Sequence, residues 1–146
     1  MSLFLPSLQG TQAVDLALTL SGDLALGPDG DLGFTRGISV LQQEVIFRLK
    51  TKKGDYLYHP ECGTELESLI GAPNSQDTAN AGELMIRDAL SHDGLLNPVA
   101  LEIYSYPLST DQIVFTILID ADFYGFSVNS TLSLEVVLDL KEGLIL

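Results

Sequence analysis

The stretch ISVLQQEVIFRLKTKKG, residues 38–54, decides the fold of this chain. Its apolar side chains recur at the three- and four-residue spacing of a helix, and polar residues such as Gln42 and Lys50 lie between them. The apolar positions are Ile38, Leu41, Val45, Ile46 and Leu49. We therefore predict a helix over residues 38–52 that stops at Gly54.

The segment before this helix alternates between apolar and polar residues at period two. The alternation covers residues 15–20 and 24–26, and it resumes at residues 32–34 after the turn sequence GPDG at residues 27–30. Short alternating runs with turn residues between them predict short strands. Residues 1–37 are therefore expected to form an N-terminal strand and turn segment.

Two further helices are predicted after the first one. Thr64 is a candidate N-cap for a short helix that runs to Ile70, with Glu67 at the third helical position as in a capping box. A longer helix is expected over residues 77–91. Its apolar stripe would combine Ala81, Met85 and Ala89 with Leu84, Ile86 and Leu90.

Three strands are predicted towards the C-terminal end, over residues 99–106, 112–122 and 126–140. The last run alternates most regularly, and its apolar positions are Val128, Leu132, Leu134, Val136 and Leu138. N-terminal short strands, two main helices and then antiparallel strands predict an α+β fold, with the helices packed on the C-terminal sheet. Residues 38–146 would form this α+β domain, within one globular unit overall.

The charge of the chain limits its partners. The formal net charge is −13, from 20 acidic and 7 basic residues, which argues against nucleic acid because phosphates require a basic surface. Most basic residues lie close together, at Arg36, Arg48, Lys50, Lys52 and Lys53. They form either a solvated helix end, where cations complement the helix dipole, or a local positive patch for an acidic partner.

Nothing in the sequence predicts secretion or a membrane span. The N-terminal segment is too short and too uncharged for a signal peptide, and no run of about 18 apolar residues occurs. The single cysteine, Cys62, cannot form a disulfide within the chain. We expect the chain to fold in a cytoplasm.

His59 and Cys62 are the first candidates for chemistry. A cysteine and a histidine can form an activated nucleophile, but the sequence shows neither an orienting third residue nor a glycine-rich oxyanion turn. One cysteine and two histidines also lack the ligand spacing of a zinc site. A free cysteine more often packs as a small hydrophobe.

Acidic residues form the remaining candidates. Asp29 and Asp31 could bind calcium, but no closing carboxylate follows at the spacing that such a loop requires. Asp120 and Asp122 could do acid–base work, yet they lie beside a predicted turn, where aspartate is common. We therefore expect no catalytic residue, no metal site and no cofactor.

Four stretches of the sequence, in this order and spacing, resemble a known protein family. They are QQEVIFRLKTKKGD at residues 42–55, PECGTEL at 60–66, LIGAPN at 69–74 and IRDAL at 86–90. They are similar to segments of the baseplate wedge and sheath-initiator family of contractile phage tails, which type VI secretion and related injection systems share. Cys62 stands where that family usually has tyrosine, and Asn97-Pro98-Val99 stands where it has Glu-Pro-Arg.

The resemblance implies a non-enzymatic structural protein of the virion, assembled in the host cytoplasm and located in the tail baseplate in about six copies. Its partners would be other wedge proteins and the tail sheath protein, with the tail tube as a further candidate, and neither nucleic acid nor a membrane. The run at residues 126–140 would present a sheet edge on which the sheath assembles by strand addition. The alternative is a central strand that is already paired on both sides.

The partner-binding residues expected from this scheme are Val128, Leu132, Leu134, Val136 and Leu138, together with Asn97, Pro98 and Val99. Two other functions stay open. An adaptor protein of a non-contractile tail would share the fold and lack a sheath. A hydrolase that uses His59, Cys62 or an aspartate pair is less favoured.

Overall fold

The computed structural model describes residues 14–19, 23–92, 96–120 and 131–145. Two long helices, α1 (Ile38–Lys50) and α2 (Gln76–Ser91), accompany a four-stranded antiparallel sheet. Its strands lie in the order of the chain and are β3 (Leu101–Ser109), β4 (Gln112–Asp120), β5 (Thr131–Asp139) and β6 (Gly143–Ile145). A two-stranded sheet of β1 (Val14–Leu16) and β2 (Phe34–Arg36) precedes them, so the α+β fold is confirmed.

One hydrophobic core joins both helices to the inner face of the sheet. The helices contribute Leu41, Val45, Leu49, Ile86 and Leu90, and the sheet contributes Ile103, Ile113, Phe115, Ile117, Ile119, Val136 and Leu138. The alternating pattern of β4 and β5 places every second side chain on this inner face. Leu41, Val45 and Leu49 of the predicted α1 stripe are buried, and Ile38 packs against the core. Ile46 is only half-buried and is not part of the core, so that residue of the predicted stripe is wrong.

Helix α2 packs closely against the sheet at Gly82. An added Cβ atom at this position would overlap the ring of Phe115, which is fully buried on β4. The buried side of the helix follows Gly82, Ile86 and Ala89. Leu84, predicted on the apolar stripe, is 67% exposed because it lies on the opposite side. That part of the prediction is wrong.

The segment after α1 also differs from the prediction. The helix ends at Lys50 because Thr51 is extended and its carbonyl accepts a hydrogen bond from the Thr64 N–H at 2.9 Å. The buried Thr64 hydroxyl donates to the Leu49 carbonyl at 3.5 Å, so Thr64 is not an N-cap. The short helix that follows is a 3-10 helix at Leu66–Leu69 with no side-chain cap.

The strands begin and end at different residues from those predicted. A 3-10 turn at Pro98–Ala100 delays the start of β3, which then continues through Pro107 to Ser109. β4 and β5 lie within the predicted runs, although residues 121–130 of those runs are outside the described residues. The short strand β6 was not predicted, because three residues are too few for a period to show.

The N-terminal residues form a three-armed unit, which we define as residues 14–19 and 23–36. One arm pairs β1 with β2, a second is closed by the bridge Leu18–Leu24, and a third by the bridge Leu26–Leu32. The arms meet in a cycle of three backbone hydrogen bonds, each 2.9 Å long. The Ala17 N–H donates to Gly33, the Gly33 N–H to Ala25, and the Ala25 N–H to Ala17.

An eight-residue repeat explains this pseudo-threefold arrangement. The sequences DLALTLSG, DLALGPDG and DLGFTRGI begin at Asp15, Asp23 and Asp31. Equivalent positions make equivalent bonds: the Thr19 N–H donates to the Asp23 carbonyl at 2.8 Å, and the Gly27 N–H to the Asp31 carbonyl at 2.7 Å. Each repeat therefore supplies the second strand of one arm and the first strand of the next.

Gln43 of α1 attaches the three-armed unit to the rest of the molecule. Its Nε2 donates to the Leu16 carbonyl at 2.7 Å, and its Oε1 accepts from the Leu18 N–H at 2.9 Å. The side-chain amide thus pairs with β1 as a neighbouring strand would.

Replacing Gly82 by alanine should destabilise the protein, although alanine is the better helix former. The helix preference favours alanine by about 1 kcal/mol, whereas forcing a methyl group into a packed core costs about 1–3 kcal/mol. We expect a net loss in the free energy of unfolding, measured by urea denaturation. Leu84→Ala, on the exposed side of the same helix, is the control and should have a small effect. Equal or greater stability of Gly82→Ala would contradict the close contact with Phe115.

Candidate partner-binding surface

Strand β5 lies inside the sheet but is only partly covered. It pairs with β4 along its whole length, from Thr131 to Asp139. On the other side, β6 pairs only with Val137, Leu138 and Asp139. Over residues 131–136 no other described strand pairs with that side of β5, which leaves an open edge. Such an edge presents backbone N–H and C=O groups to an incoming strand.

The predicted partner-binding side chains of β5 divide into two groups. Val136 and Leu138 are fully buried and lie opposite Phe115 and Ile113 of β4, so they belong to the core. Leu132 and Leu134 are half-buried on the same face, beside the open edge. Val128 lies outside the described residues. A partner would therefore reach β5 through its backbone edge and through the two half-buried leucines.

Asn97, Pro98 and Val99 form an exposed turn that leads into β3. The Asn97 side chain accepts a hydrogen bond from the Val99 N–H at 3.0 Å and so caps the 3-10 turn. Leu101, just after the turn, lies in one cross-strand row with Ile119 and Leu132. The turn and the open edge are therefore at the same end of the sheet, separated by about two strand spacings, or roughly 10 Å.

The strand at the opposite edge of the sheet, β3, is less suited to strand addition than β5. Pro107 lies within this strand and has no N–H to donate. Proline on an edge strand is a common protection against unwanted strand pairing. The open part of β5 contains neither proline nor lysine.

The cluster of basic residues is largely paired within the chain. The ammonium of Lys52 lies 3.3 Å from Glu67, and that of Lys53 lies 3.3 Å from Asp88. Arg48 is buried in the core rather than solvated as the sequence suggested. These contacts favour a set of local ion pairs over a positive patch for an acidic partner, although surface pairs of this kind stabilise little.

His59 and Cys62 belong neither to β5 nor to the turn at residues 97–99. Cys62 is 2% exposed in the core, and burial of this kind makes a thiol inert. His59 stacks on Tyr56, with ring centroids 5.7 Å apart, and its Nδ1 lies 3.6 Å from a carboxylate oxygen of Glu61. His59 and Cys62 both belong to the loop that joins α1 to the 3-10 helix.

Asp29 and Asp31 lie at a turn. The Asp29 carboxylate accepts a hydrogen bond from the Asp31 N–H at 3.4 Å, and the Asp31 carboxylate accepts from the Leu32 N–H at 2.7 Å. Asp120 is exposed at the end of β4, and Asp122 lies outside the described residues. Among the residues that the structure describes, no group of three or more histidine, cysteine or acidic side chains could hold a metal ion. Within the same residues, no helix has the length and apolar character to cross a membrane.

Comparison of the chain with protein-family models and with curated proteins finds no match.

Sequence reasoning missed a buried ion pair that links the elements around the core. The Arg48 Nε atom lies 3.7 Å from Glu44 Oε1, and both side chains are nearly inaccessible to solvent. Arg48 Nη1 donates to the carbonyls of Ala89, at 3.2 Å, and His92, at 2.8 Å, at the end of α2. Burial raises the pKa of Glu44 from 4.5 to about 7; the attraction of Arg48 opposes this shift, and nearby Asp15 adds to it.

The raised pKa of Glu44 makes the stability of the protein depend on pH. The folded state binds a proton at the Glu44 carboxyl more tightly than the unfolded state does. The stabilisation from this protonation is therefore complete below about pH 4.5 and is lost as the pH rises through 7. The loss is on the order of 3 kcal/mol. Glu44→Gln carries no such proton, so its free energy of unfolding should fall less between pH 5 and pH 8 than that of the wild type.

Urea denaturation at both pH values measures this difference, because every other titrating group is common to the two proteins. Glu65→Gln, at an exposed position on the loop before the 3-10 helix, is the matched control and should keep the wild-type dependence. Identical pH dependence in Glu44→Gln and the wild type would show that the Glu44 carboxylate is not desolvated as described.

Proposed function

We propose that this chain is a structural subunit of a contractile-tail baseplate that starts sheath assembly by strand addition. The observation that carries the proposal is the open edge of β5 over residues 131–136, next to a strand, β6, that covers only three of its nine residues. An extended arm of the sheath protein would continue the sheet at this edge. Backbone hydrogen bonds would supply the affinity, as in other cases of strand addition.

The side chains along the edge suit an alternating partner strand. Leu132 and Leu134 are half-buried on the inner face, so apolar side chains of an incoming strand would complete their burial. Ser133 and Glu135 are exposed on the outer face, where polar side chains would lie beside them. A partner strand with this alternation has a fixed register, because a shift by one residue would place its apolar side chains on the outer face.

The turn at Asn97, Pro98 and Val99 lies at the same end of the sheet as the open edge of β5. We therefore propose this end as the contact region. This turn is exposed, with Val99 at 83%, and it lies at the end where the open edge of β5 begins. A neighbouring wedge subunit could contact the turn while the sheath arm occupies the edge. The resemblance to the wedge family, which covers roughly residues 38–122, supports the assignment to a baseplate.

Site-directed cross-linking in assembled baseplates tests the proposal. Ser133→Cys places a thiol at the open edge, and a short photoactivatable maleimide attached to it should cross-link to a terminal arm of the sheath protein. Mass spectrometry of the cross-linked peptides identifies the partner. The native Cys62 is buried and is not expected to react.

Ser109→Cys is the matched control, because Ser109 is also exposed but lies at the end of β3. It should give no cross-link to the sheath arm. Cross-links from residue 133 to another tail protein in the absence of a sheath would instead support the adaptor of a non-contractile tail. Equal labelling from both positions, or none from residue 133, would refute strand addition at β5.

A further inference from the structure

The four-stranded sheet has an outer face, opposite the one on which the helices pack. Successive side chains of a strand point to opposite faces, so the residues between the core residues of β3, β4 and β5 lie on this outer face. One cross-strand row of the outer face consists of aromatic and aliphatic residues on all four strands: Tyr106, Val114, Val137 and Ile145. We call this row the apolar strip. Antiparallel sheets with a solvated face normally carry polar residues there, so the strip is unusual.

Large apolar side chains of the outer face are open to solvent. Tyr104 is 55% exposed, Tyr106 is 45% exposed and Ile145 is 47% exposed. Val114 lies between Tyr106 and Val137 and is itself buried, so the strip is continuous across the strands. Contiguous exposed apolar residues of this kind mark contact surfaces in soluble proteins.

The charges on the same face are all negative. The outer face carries three charged side chains, Glu102, Glu135 and Asp139. Each lies two or four residues along its strand from a member of the apolar strip, and therefore points to the same side. None of the seven basic residues of the chain belongs to β3, β4, β5 or β6. Lys141, in the turn after β5, has its ammonium 3.0 Å from the Asp111 carboxylate.

The row beside the apolar strip combines an aromatic ring with carboxylates. Tyr104, Thr116 and Glu135 lie opposite one another on β3, β4 and β5. Because neighbouring strands are about 4.8 Å apart, the backbones at Tyr104 and Glu135 are separated by roughly 10 Å, with the short Thr116 side chain between them. The Tyr104 hydroxyl donates to a carboxylate oxygen of Glu102 at 3.0 Å. An exposed ring near carboxylates attracts lysine and arginine side chains through cation–π and charge interactions.

We propose that the outer face of the sheet docks a partner protein whose contact surface is apolar and contains lysine or arginine. The apolar strip favours burial against apolar side chains, and the row of Tyr104 and Glu135 receives a basic one. This interface is distinct from the open edge of β5 and does not depend on the proposed function. A strand added at that edge would lie beside the sheet and would leave its outer face accessible.

The charges of the outer face decide between the possible occupants. If two copies packed face to face, the three carboxylates of one copy would lie against those of the other, and like charges at an interface oppose association. Nucleic acid and anionic lipid are disfavoured for the same reason, because both present phosphates. A basic and apolar protein surface complements both the apolar strip and the carboxylates.

Binding of designed helical peptides to the full chain tests this inference. A helix bonds its backbone groups internally, so these probes cannot add to the edge of β5 as a strand. One side of the helix carries leucine with lysine in the first probe, serine with lysine in the second, and leucine with glutamate in the third. Fluorescence anisotropy should show that the leucine–lysine helix binds at least about tenfold more tightly than either of the other two.

Variants of the chain locate the contact. The double substitution Tyr104→Thr with Tyr106→Thr should remove the preference for the leucine–lysine helix, because threonine favours a strand but lacks the aromatic surface. Leu26→Ser is the matched control, since it removes an exposed apolar side chain from the three-armed unit, and it should leave binding unchanged.

A second pair of variants tests the charge. Glu135→Gln should weaken binding of the leucine–lysine helix and reduce its salt dependence. Glu65→Gln removes the same charge from an exposed position outside the sheet and should have no effect on binding. Thermal denaturation checks that each variant folds, and Glu135→Gln decides the test if the double tyrosine variant does not.

Several outcomes would overturn the proposal. Equal binding of the leucine–lysine and leucine–glutamate helices, or unchanged binding in Glu135→Gln, would show that the carboxylates do not select the partner. Equal binding of the serine–lysine helix would show attraction by charge alone. Binding that survives in the folded double variant, or is lost in Leu26→Ser, would place the contact elsewhere. Sedimentation velocity that shows a dimer of the wild type, lost in the double variant, would assign the outer face to a second copy.

Discussion

The packing of the two helices depends on the buried guanidinium of Arg48. It belongs to α1 but donates to the carbonyls of Ala89 and His92, where α2 ends and its last carbonyls lack partners within the helix. A cation at this position also complements the negative end of the helix dipole. Glu44 lies beside it in the core, with its Oε1 atom 3.7 Å from Arg48 Nε, and is a counter-charge only when ionised, because burial raises its pKa to about 7. The hydrogen bonds of Arg48 therefore link α1 to the C-terminal end of α2 within the core.

Local periodicity was sufficient to predict α1, α2, β4 and β5, but it could not predict this ion pair. Each helix and strand leaves its own pattern in the sequence, whereas the burial of Arg48 depends on Ala89, which is 41 residues away. Helical spacing alone places Arg48 among the polar residues of α1, as a solvated helix end would require. The same limit applies to Gly82: only the ring of Phe115 opposite explains why the stripe of α2 follows glycine rather than Leu84.

The candidate site shows the same division between local and distant information. The alternation of residues 131–139 predicts a strand with one apolar face, and this is correct. The alternation does not show how many residues of β5 pair with the neighbouring strand β6. It therefore cannot distinguish Leu132, which lies beside the open edge, from Val136, which is buried in the core. In the three-armed unit, the repeat is visible in the sequence. The closure of the arms depends on small central residues, since a Cβ atom at Gly33 would lie 3.1 Å from the Ala25 carbonyl oxygen.

The net charge of the chain affects what the open edge of β5 can pair with. The open edge of β5 offers backbone groups, which any extended chain can pair with, so it is also a hazard for edge-to-edge association between copies. Glu135 lies along that edge, and the chain carries a net charge of −13, while Lys52 and Lys53 are engaged by Glu67 and Asp88. Two copies therefore repel one another at long range before their open edges can pair. Such repulsion opposes pairing between copies at the open edge, whereas it does not act against an uncharged or basic strand.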